Sequence, residues 1–159
     1  MIKACNVPPV AQESSTELIT FRVQGLLLGI DILHIKEINC QLQHAPVPYA
    51  QGEVCGVINL RGEVLTVIDL ARLLRLPAVS EVEPTQYVIV MSEKERIALL
   101  VDAIEDVVTV ERDEIKPVPA NVRCACRDTL RGVFPLTDEL LIELDVDRAL
   151  CLHDEAVAV

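Results

Sequence analysis

Nineteen residues of this chain occur twice in related form, and this repeat constrains the fold more than any other feature. Residues 56–74, GVINLRGEVLTVIDLARLL, align without a gap on residues 132–150, GVFPLTDELLIELDVDRAL, and eight of the nineteen positions are identical. The sequence PVP also occurs twice, at 46–48 and 117–119, with an offset of 71 rather than 76. An internal duplication is the simplest explanation, with about five extra residues after the second PVP.

Both copies have the apolar pattern of strands. Residues 18–23 and 26–32 alternate in the first copy around a tight turn at Gln24-Gly25, and residues 87–91 and 96–101 are their counterparts in the second. Proline at both PVP segments favours an extended connection. We therefore predict an all-β, mainly antiparallel fold with short helices and about five strands in each copy.

The repeat also sets the predicted domain organisation. We expect a single domain over residues 17–152, in which repeat one is about 17–77 and repeat two about 85–152, joined by a connector over 76–86. Neither copy, at roughly 65 residues, is expected to be stable alone, so the two should share buried surface. Residues 1–16 and 153–159 are predicted to be tails.

Charge and composition exclude several classes of function. The net charge of −11 disfavours nucleic acid and anionic membrane surfaces as partners. We find no apolar run near the roughly 18 residues of a membrane helix and no signal-peptide core, and so predict a cytoplasmic protein without direct membrane insertion. In that compartment the six cysteines are expected to be reduced, with Cys40 and Cys55 serving as small core residues.

Two positions in the repeat predict different roles, one structural and one functional. Asp69 recurs as Asp145, each time before a short helical pattern, which predicts a helix N-cap. Arg61-Gly62 does not recur, because the second copy has Thr137-Asp138 there. We expect both pairs to build the same turn, and since no turn requires an arginine, Arg61 is a candidate for function.

The first repeat motif resembles the signature of the CheW-like domain, the coupling module of bacterial chemotaxis. The surrounding GIDI, IKEI, PVP and closing LDVDRAL segments fit the same family, and the resemblance covers residues 17–152. It implies two intertwined five-stranded SH3-like barrels without catalytic activity or cofactor. It also implies a free-standing adaptor that couples chemoreceptors to a chemotaxis histidine kinase. Its partners would be the regulatory domain of that kinase and the cytoplasmic receptor tip, in arrays at the inner membrane.

By the same resemblance, seven residues are expected to bind partners: Ile35, Glu37, Gly56, Val57, Asn59, Arg61 and Gly62. Glu37 could equally be an ordinary exposed strand acid, and Gly56, which recurs as Gly132, should first serve a close backbone approach. We expect no catalytic residue and no metal. The alternative of a zinc site at Cys124, Cys126, Cys151 and His153 is disfavoured, because C-x-C is not the usual ligand spacing.

Two other functions remain open at this stage. The first is an adaptor of the same family that serves another output, such as surface motility or a second-messenger pathway. The second is a small-molecule sensor that uses the groove between the barrels. An enzyme is the least favoured class, because the chain has no nucleophile elbow, phosphate loop or dinucleotide fingerprint.

Overall fold

The computed structural model describes residues 14–50, 52–79, 81–92, 95–122, 124 and 126–157, the last four of these by their backbone alone. Most of the predicted N-terminal tail (residues 1–13, with Cys5) and the last two residues lie outside the described part of the chain. Ser15 and Thr16, expected in the tail, already belong to the first strand.

Ten strands and two α-helices make up the described chain. The strands of the first copy are β1 (Ser15–Val23), β2 (Leu26–Asp31), β3 (Ile35–Asn39), β4 (Val54–Leu60) and β5 (Glu63–Asp69), followed by helix α1 (Leu70–Leu73). Those of the second copy are β6 (Gln86–Met91), β7 (Arg96–Val101), β8 (Ala103–Glu111), β9 (Leu130–Pro135) and β10 (Leu140–Leu144), followed by α2 (Val146–Val157).

The two copies exchange strands. One five-stranded sheet, here the first barrel, has the order β8-β1-β2-β10-β9, and the other, the second barrel, has the order β3-β6-β7-β5-β4. Each barrel therefore takes two strands from one copy and three from the other. Two of the pairs between copies are parallel, β10 with β2 and β5 with β7. The other two, β1 with β8 and β3 with β6, are antiparallel, as are all pairs within a copy. The predicted all-β fold of two intertwined five-stranded units is confirmed.

The PVP segments close both barrels. Just before the first PVP, Ala45 exchanges two backbone hydrogen bonds with Val57 on the edge strand β4, at 2.8 and 2.9 Å. Lys116 does the same with Val133 on β9, at 2.8 Å in both directions. A Cβ on Gly56 would lie 2.0 Å from the oxygen of Ala45. The recurring glycine thus permits the close backbone approach that its recurrence predicted.

Three apolar clusters fill this architecture. The largest lies between the barrels and contains Phe21, Leu28, Val88 and Leu99. A smaller cluster around Ile58, Leu65 and Ile89 fills the second barrel, and another around Leu18, Phe134 and Leu141 fills the first. Because the largest cluster is shared, the two copies depend on each other for most of their buried surface.

The predicted helix caps are confirmed in both copies of the repeat. The Asp69 side chain accepts from the amide of Arg72 at 3.3 Å, and Asp145 accepts from that of Arg148 at 3.1 Å. The second helix is longer than its sequence pattern indicated, so residues 153–157 are not a tail. His153 is buried, and its Nδ1 lies 3.2 Å from a carboxylate oxygen of Glu53, which anchors α2.

The cysteine prediction was wrong at one position. Cys40 is exposed, because it lies just beyond the end of β3, whereas Cys55 is half-buried against the cluster of the second barrel. In the described ranges, no helix combines the length and apolar character needed to cross a membrane.

Candidate partner-binding face

The turn between β4 and β5 is a two-residue hairpin loop, since Leu60 pairs directly with Glu63. Both loop residues have positive φ, +53° at Arg61 and +87° at Gly62, as a type I′ turn requires. The Asn59 side chain accepts from the amide of Gly62 at 2.9 Å. Asn59 and Gly62, both predicted to bind partners, therefore have a structural role in shaping this turn.

Arg61 and Glu37 form an ion pair with two hydrogen bonds, at 2.8 and 3.1 Å. The Arg61 side chain is 74% exposed and that of Glu37 is 22% exposed. The hydrogen bonds from Arg61 lower the pKa of Glu37, and the carboxylate in turn raises the pKa of Arg61. Because β3 and β4 are opposite edges of one sheet, the pair bridges the seam where the second barrel closes.

The corresponding turn in the second copy has a different backbone. Leu136 donates to the carbonyl of Glu139 at 2.8 Å, and neither Thr137 nor Asp138 has a positive φ. The expectation that both pairs build the same turn was therefore wrong. Positive φ favours Gly, Asn or Asp over other side chains, so the geometry of the first turn does not account for an arginine.

Strand register places Ile35 and Val57, two more of the residues predicted to bind partners, on the same face of the second sheet. Directly paired residues share a face of a sheet, and one such row runs across all five strands: Ile35, Val90, Ile97, Thr66 and Val57. Val90 and Ile97 are buried between the barrels. Ile35 and Val57, at the two ends of the row, are only half-buried.

Sequence reasoning missed the most exposed apolar residue of this region. Val64 lies on β5 opposite Asn59 and is 64% exposed. Its neighbours Leu65 and Val67 are buried inside the barrel, so strict alternation along the strand could have identified Val64 as outward-facing. We call Val57, Asn59, Arg61 and Val64, together with Glu37, the β4–β5 face.

The structure therefore unites part of the predicted set and separates the rest. Glu37, Asn59, Arg61 and Gly62 gather at one turn. Gly56 lies beneath the chain at Ala45, where its role is to admit the backbone. Ile35 lies on the opposite edge strand and packs against the main cluster. A second ion pair, between Arg96 and Glu63 at 3.7 Å, adds to the charges near the turn.

Two of the cysteines considered above as zinc ligands make other contacts. Cys124 donates its thiol to the carbonyl of Leu74, and Cys126 to that of Leu73, at the end of α1. Burial raises the pKa of Cys124. Within the described residues, no three Cys, His, Asp or Glu side chains come together as a metal site.

Comparison with known proteins agrees with this architecture. The family model for the CheW-like domain matches residues 17–152, and the chain belongs to this family. The chemotaxis protein CheW of Rhizobium meliloti (strain 1021) is 38% identical over 134 residues, covering 81% of this chain and 84% of the relative. That of Bacillus subtilis (strain 168) is 30% identical over 147 residues, covering 92% and 94%.

A solved structure has the same fold. The scaffolding protein TtCheW from Thermoanaerobacter tengcongensis superimposes with a TM-score of 0.74 at 22% sequence identity, covering 84% of this chain and 91% of that one. At this level of identity the likeness concerns the fold.

Proposed function

We propose that this chain is a non-enzymatic scaffold that couples chemoreceptors to a chemotaxis histidine kinase. Its partners are the regulatory domain of the kinase and the cytoplasmic tip of the receptors, and it works in the cytoplasm at receptor arrays. Membership of the CheW-like family and the chemotaxis names of the relatives support this role. The comparisons give no separate support to another output or to a small-molecule sensor.

The β4–β5 face is the observation that carries the proposal. It combines an exposed aliphatic side chain, Val64, with an exposed guanidinium held in a fixed direction by Glu37. Arginine and well-packed apolar contacts dominate the energetics of many protein interfaces. Glu37 accepts two of the five N–H donors of Arg61, so the others can reach a carboxylate or carbonyl of a partner.

A scaffold must also hold its partners at a fixed geometry, and the shared core provides for this. Because the largest apolar cluster lies between the barrels and contains residues of both, the barrels cannot move apart without exposing it to water. A partner on the β4–β5 face would thus be positioned rigidly relative to one on the first barrel. A change in one partner could then bias the conformational equilibrium of the other.

The test is a titration of the full chain with the kinase regulatory domain and, separately, with a receptor tip fragment. We expect saturable binding, and Val64→Glu should weaken it at least tenfold for one partner, because a charge would replace an apolar contact. Val107→Glu is the matched control, since Val107 is 51% exposed on β8 of the other barrel. Absence of binding to either partner by the folded protein would refute the proposal.

A further inference from the structure

A segment with no counterpart in the first copy carries two cysteines. The second copy has about five extra residues after its PVP, and Cys124 and Cys126 lie in this insertion. The two cysteines of the first copy, Cys40 and Cys55, are far apart in the sequence. A pair that occurs in one copy only is not required by the repeated architecture, so it is a candidate for a role of its own.

Both thiols are directed to the C-terminal end of helix α1. The Sγ atom of Cys124 lies 3.4 Å from the carbonyl oxygen of Leu74, and that of Cys126 lies 3.8 Å from the carbonyl oxygen of Leu73. The last carbonyl groups of a helix have no amide partner within the helix, so both thiols act as donors there. Since Leu73 and Leu74 are consecutive residues, the two sulfur atoms lie on the same side of the insertion.

The two sulfur atoms are close enough to be joined. Two residues separated by one other have Cα atoms at most about 7 Å apart, and disulfides span Cα distances of about 4.4–6.8 Å. Burial raises the pKa of the Cys124 thiol, whereas the backbone amide of Cys126 lowers it, which places that amide beside the Cys124 sulfur. A disulfide between the two cysteines therefore needs only a local adjustment of the insertion.

The two thiols differ in their access to solvent. Cys124 is 8% exposed, whereas Cys126 is half-buried, so a small oxidant in solution meets Cys126 first. The guanidinium of Arg127, the next residue, is held by hydrogen bonds of 2.7, 3.0 and 3.1 Å to the carbonyl oxygens of residues 118, 122 and 119. A nearby cation favours the thiolate, which is the reactive form of cysteine. An accessible thiol beside a buried second thiol is the arrangement of a redox-active pair.

We propose that Cys124 and Cys126 form a site of reversible oxidation, at which hydrogen peroxide converts the two thiols into an intramolecular disulfide. In the first step, the Cys126 sulfur attacks one peroxide oxygen and the O–O bond breaks, giving a sulfenic acid and water. In the second, the Cys124 sulfur attacks that of Cys126, the S–O bond breaks, and the hydroxyl leaves with the thiol proton as water. The two thiols lose two electrons and two protons in total, and peroxide is reduced to two water molecules.

The disulfide has a local consequence for the structure. It removes the thiol hydrogen bonds to Leu73 and Leu74 at the end of α1. Cys124 belongs to the main cluster between the barrels, and Cys126 packs against it. Oxidation therefore acts at the core that the two copies share. The inference goes beyond the coupling role and does not depend on it.

The test is mild treatment of the full, reduced chain with hydrogen peroxide, followed by alkylation of the remaining thiols and mass spectrometry of its peptides. We expect the peptide with both cysteines to lose two hydrogen atoms and to escape alkylation, and dithiothreitol should restore both thiols. Cys126→Ser should abolish this change. Cys124→Ser should instead leave a sulfenic acid at Cys126, which dimedone labels.

The double variant Cys40→Ser/Cys151→Ser is the matched control, because it removes the two exposed cysteines of the described residues and should leave the disulfide unchanged. The inference is overturned if both thiols remain open to alkylation after peroxide has oxidised Cys40 and Cys151 in the wild-type chain. A disulfide from Cys124 or Cys126 to any other cysteine would also overturn it. Kinase and receptor binding are measured separately, so the failure of either proposal leaves the other intact.

Discussion

The guanidinium of Arg61 and the carboxylate of Glu37 join the two edges of the second barrel through two hydrogen bonds. The pair is solvent-exposed, and exposed pairs contribute little to stability. Its effect is instead to fix the direction of a guanidinium that projects from a strained turn. An arginine that is costly for the backbone and of little value to the fold is best explained by a contact outside the chain.

Replacing Arg61 with Asn tests this explanation. Asn suits a φ of +53°, so the melting temperature should stay the same or rise. If Arg61 is a hot spot, affinity for its partner should fall about thirtyfold. Glu37→Gln, which frees the guanidinium without removing it, should have a smaller effect. Unchanged affinity for both the kinase domain and the receptor tip would show that Arg61 is only a turn residue and does not bind a partner.

The sequence predicted the local structure well because the relevant signals are local. Alternation located the strands, and the recurrence of Asp69 and Gly56 identified a cap and a close approach. Turn conformation was less predictable, since Arg61 and Thr137 adopt different φ at equivalent positions. The Arg61–Glu37 pair was also missed, because barrel closure joins residues 24 apart through contacts that no periodicity records. Strand exchange was predicted only from the family resemblance. The alternation of apolar residues along a strand is the same whichever strand it pairs with, so it does not identify the neighbouring strand.

The closed barrels make a clear prediction for the recurring glycines. Gly56→Ala would place a methyl group 2.0 Å from the oxygen of Ala45, so the PVP segment must move. Overpacking of this kind costs about 1–3 kcal/mol in the free energy of unfolding. Gly52→Ala is the control, because nothing lies within 4 Å of its Cβ position. Equal stability of both variants in urea denaturation would contradict the role of the PVP segment in closing the barrel.

The helix caps predict equivalent losses at two sites. Asp69→Ala and Asp145→Ala should each lower the free energy of unfolding by about 1 kcal/mol, because each leaves a helix amide without its acceptor. The two helices contact each other within the main cluster, so the double variant measures how strongly the two caps are coupled. Asn at either position should retain most of the stability. Chemical denaturation of the five variants tests this, and a neutral Asp→Ala change would exclude capping.

Two arginine–carboxylate contacts predict how stability depends on acid pH. The hydrogen bonds from Arg22 lower the pKa of Glu139 from its ordinary value of 4.5, as those from Arg61 do for Glu37. A carboxylate with a lowered folded-state pKa stabilises the fold above its unfolded pKa. That contribution is lost as pH falls through the folded-state pKa. Melting temperatures should therefore drop below about pH 4.5.

Glu139→Gln and Glu37→Gln should each make this decline slightly shallower, and the double variant should be the shallowest. Because both pairs are exposed, the melting temperatures near neutral pH should be only slightly lower than wild type, and the curves should converge in acid. Parallel curves for wild type and variants across the whole range would show that these carboxylates do not contribute through ionisation.

Arg112 and Glu143 form the one ion pair of the described residues in which a carboxylate is almost completely buried, with an exposure of 1% at Glu143. Both terminal nitrogens of Arg112 bond to the carboxylate, one of them at 2.8 Å. Removing one member of a buried pair leaves an uncompensated charge, which typically costs about 3–5 kcal/mol. Arg112→Gln should therefore cause a large loss of stability.

The first copy of the repeat suggests a double variant that should restore this stability. Its residues at the corresponding positions, by the two offsets of the repeat, are Gln41 and Val67. The double variant Arg112→Gln/Glu143→Val should recover most of the loss, since a buried pair replaced by apolar packing is often neutral. Glu143→Val alone should fall between the two, because the remaining Arg112 side chain is 29% exposed and lies 3.8 Å from Asp31. Urea denaturation of the three variants measures the coupling. If the double variant is no more stable than Arg112→Gln, the loss arises from another contact of the arginine, such as its hydrogen bond to Thr16.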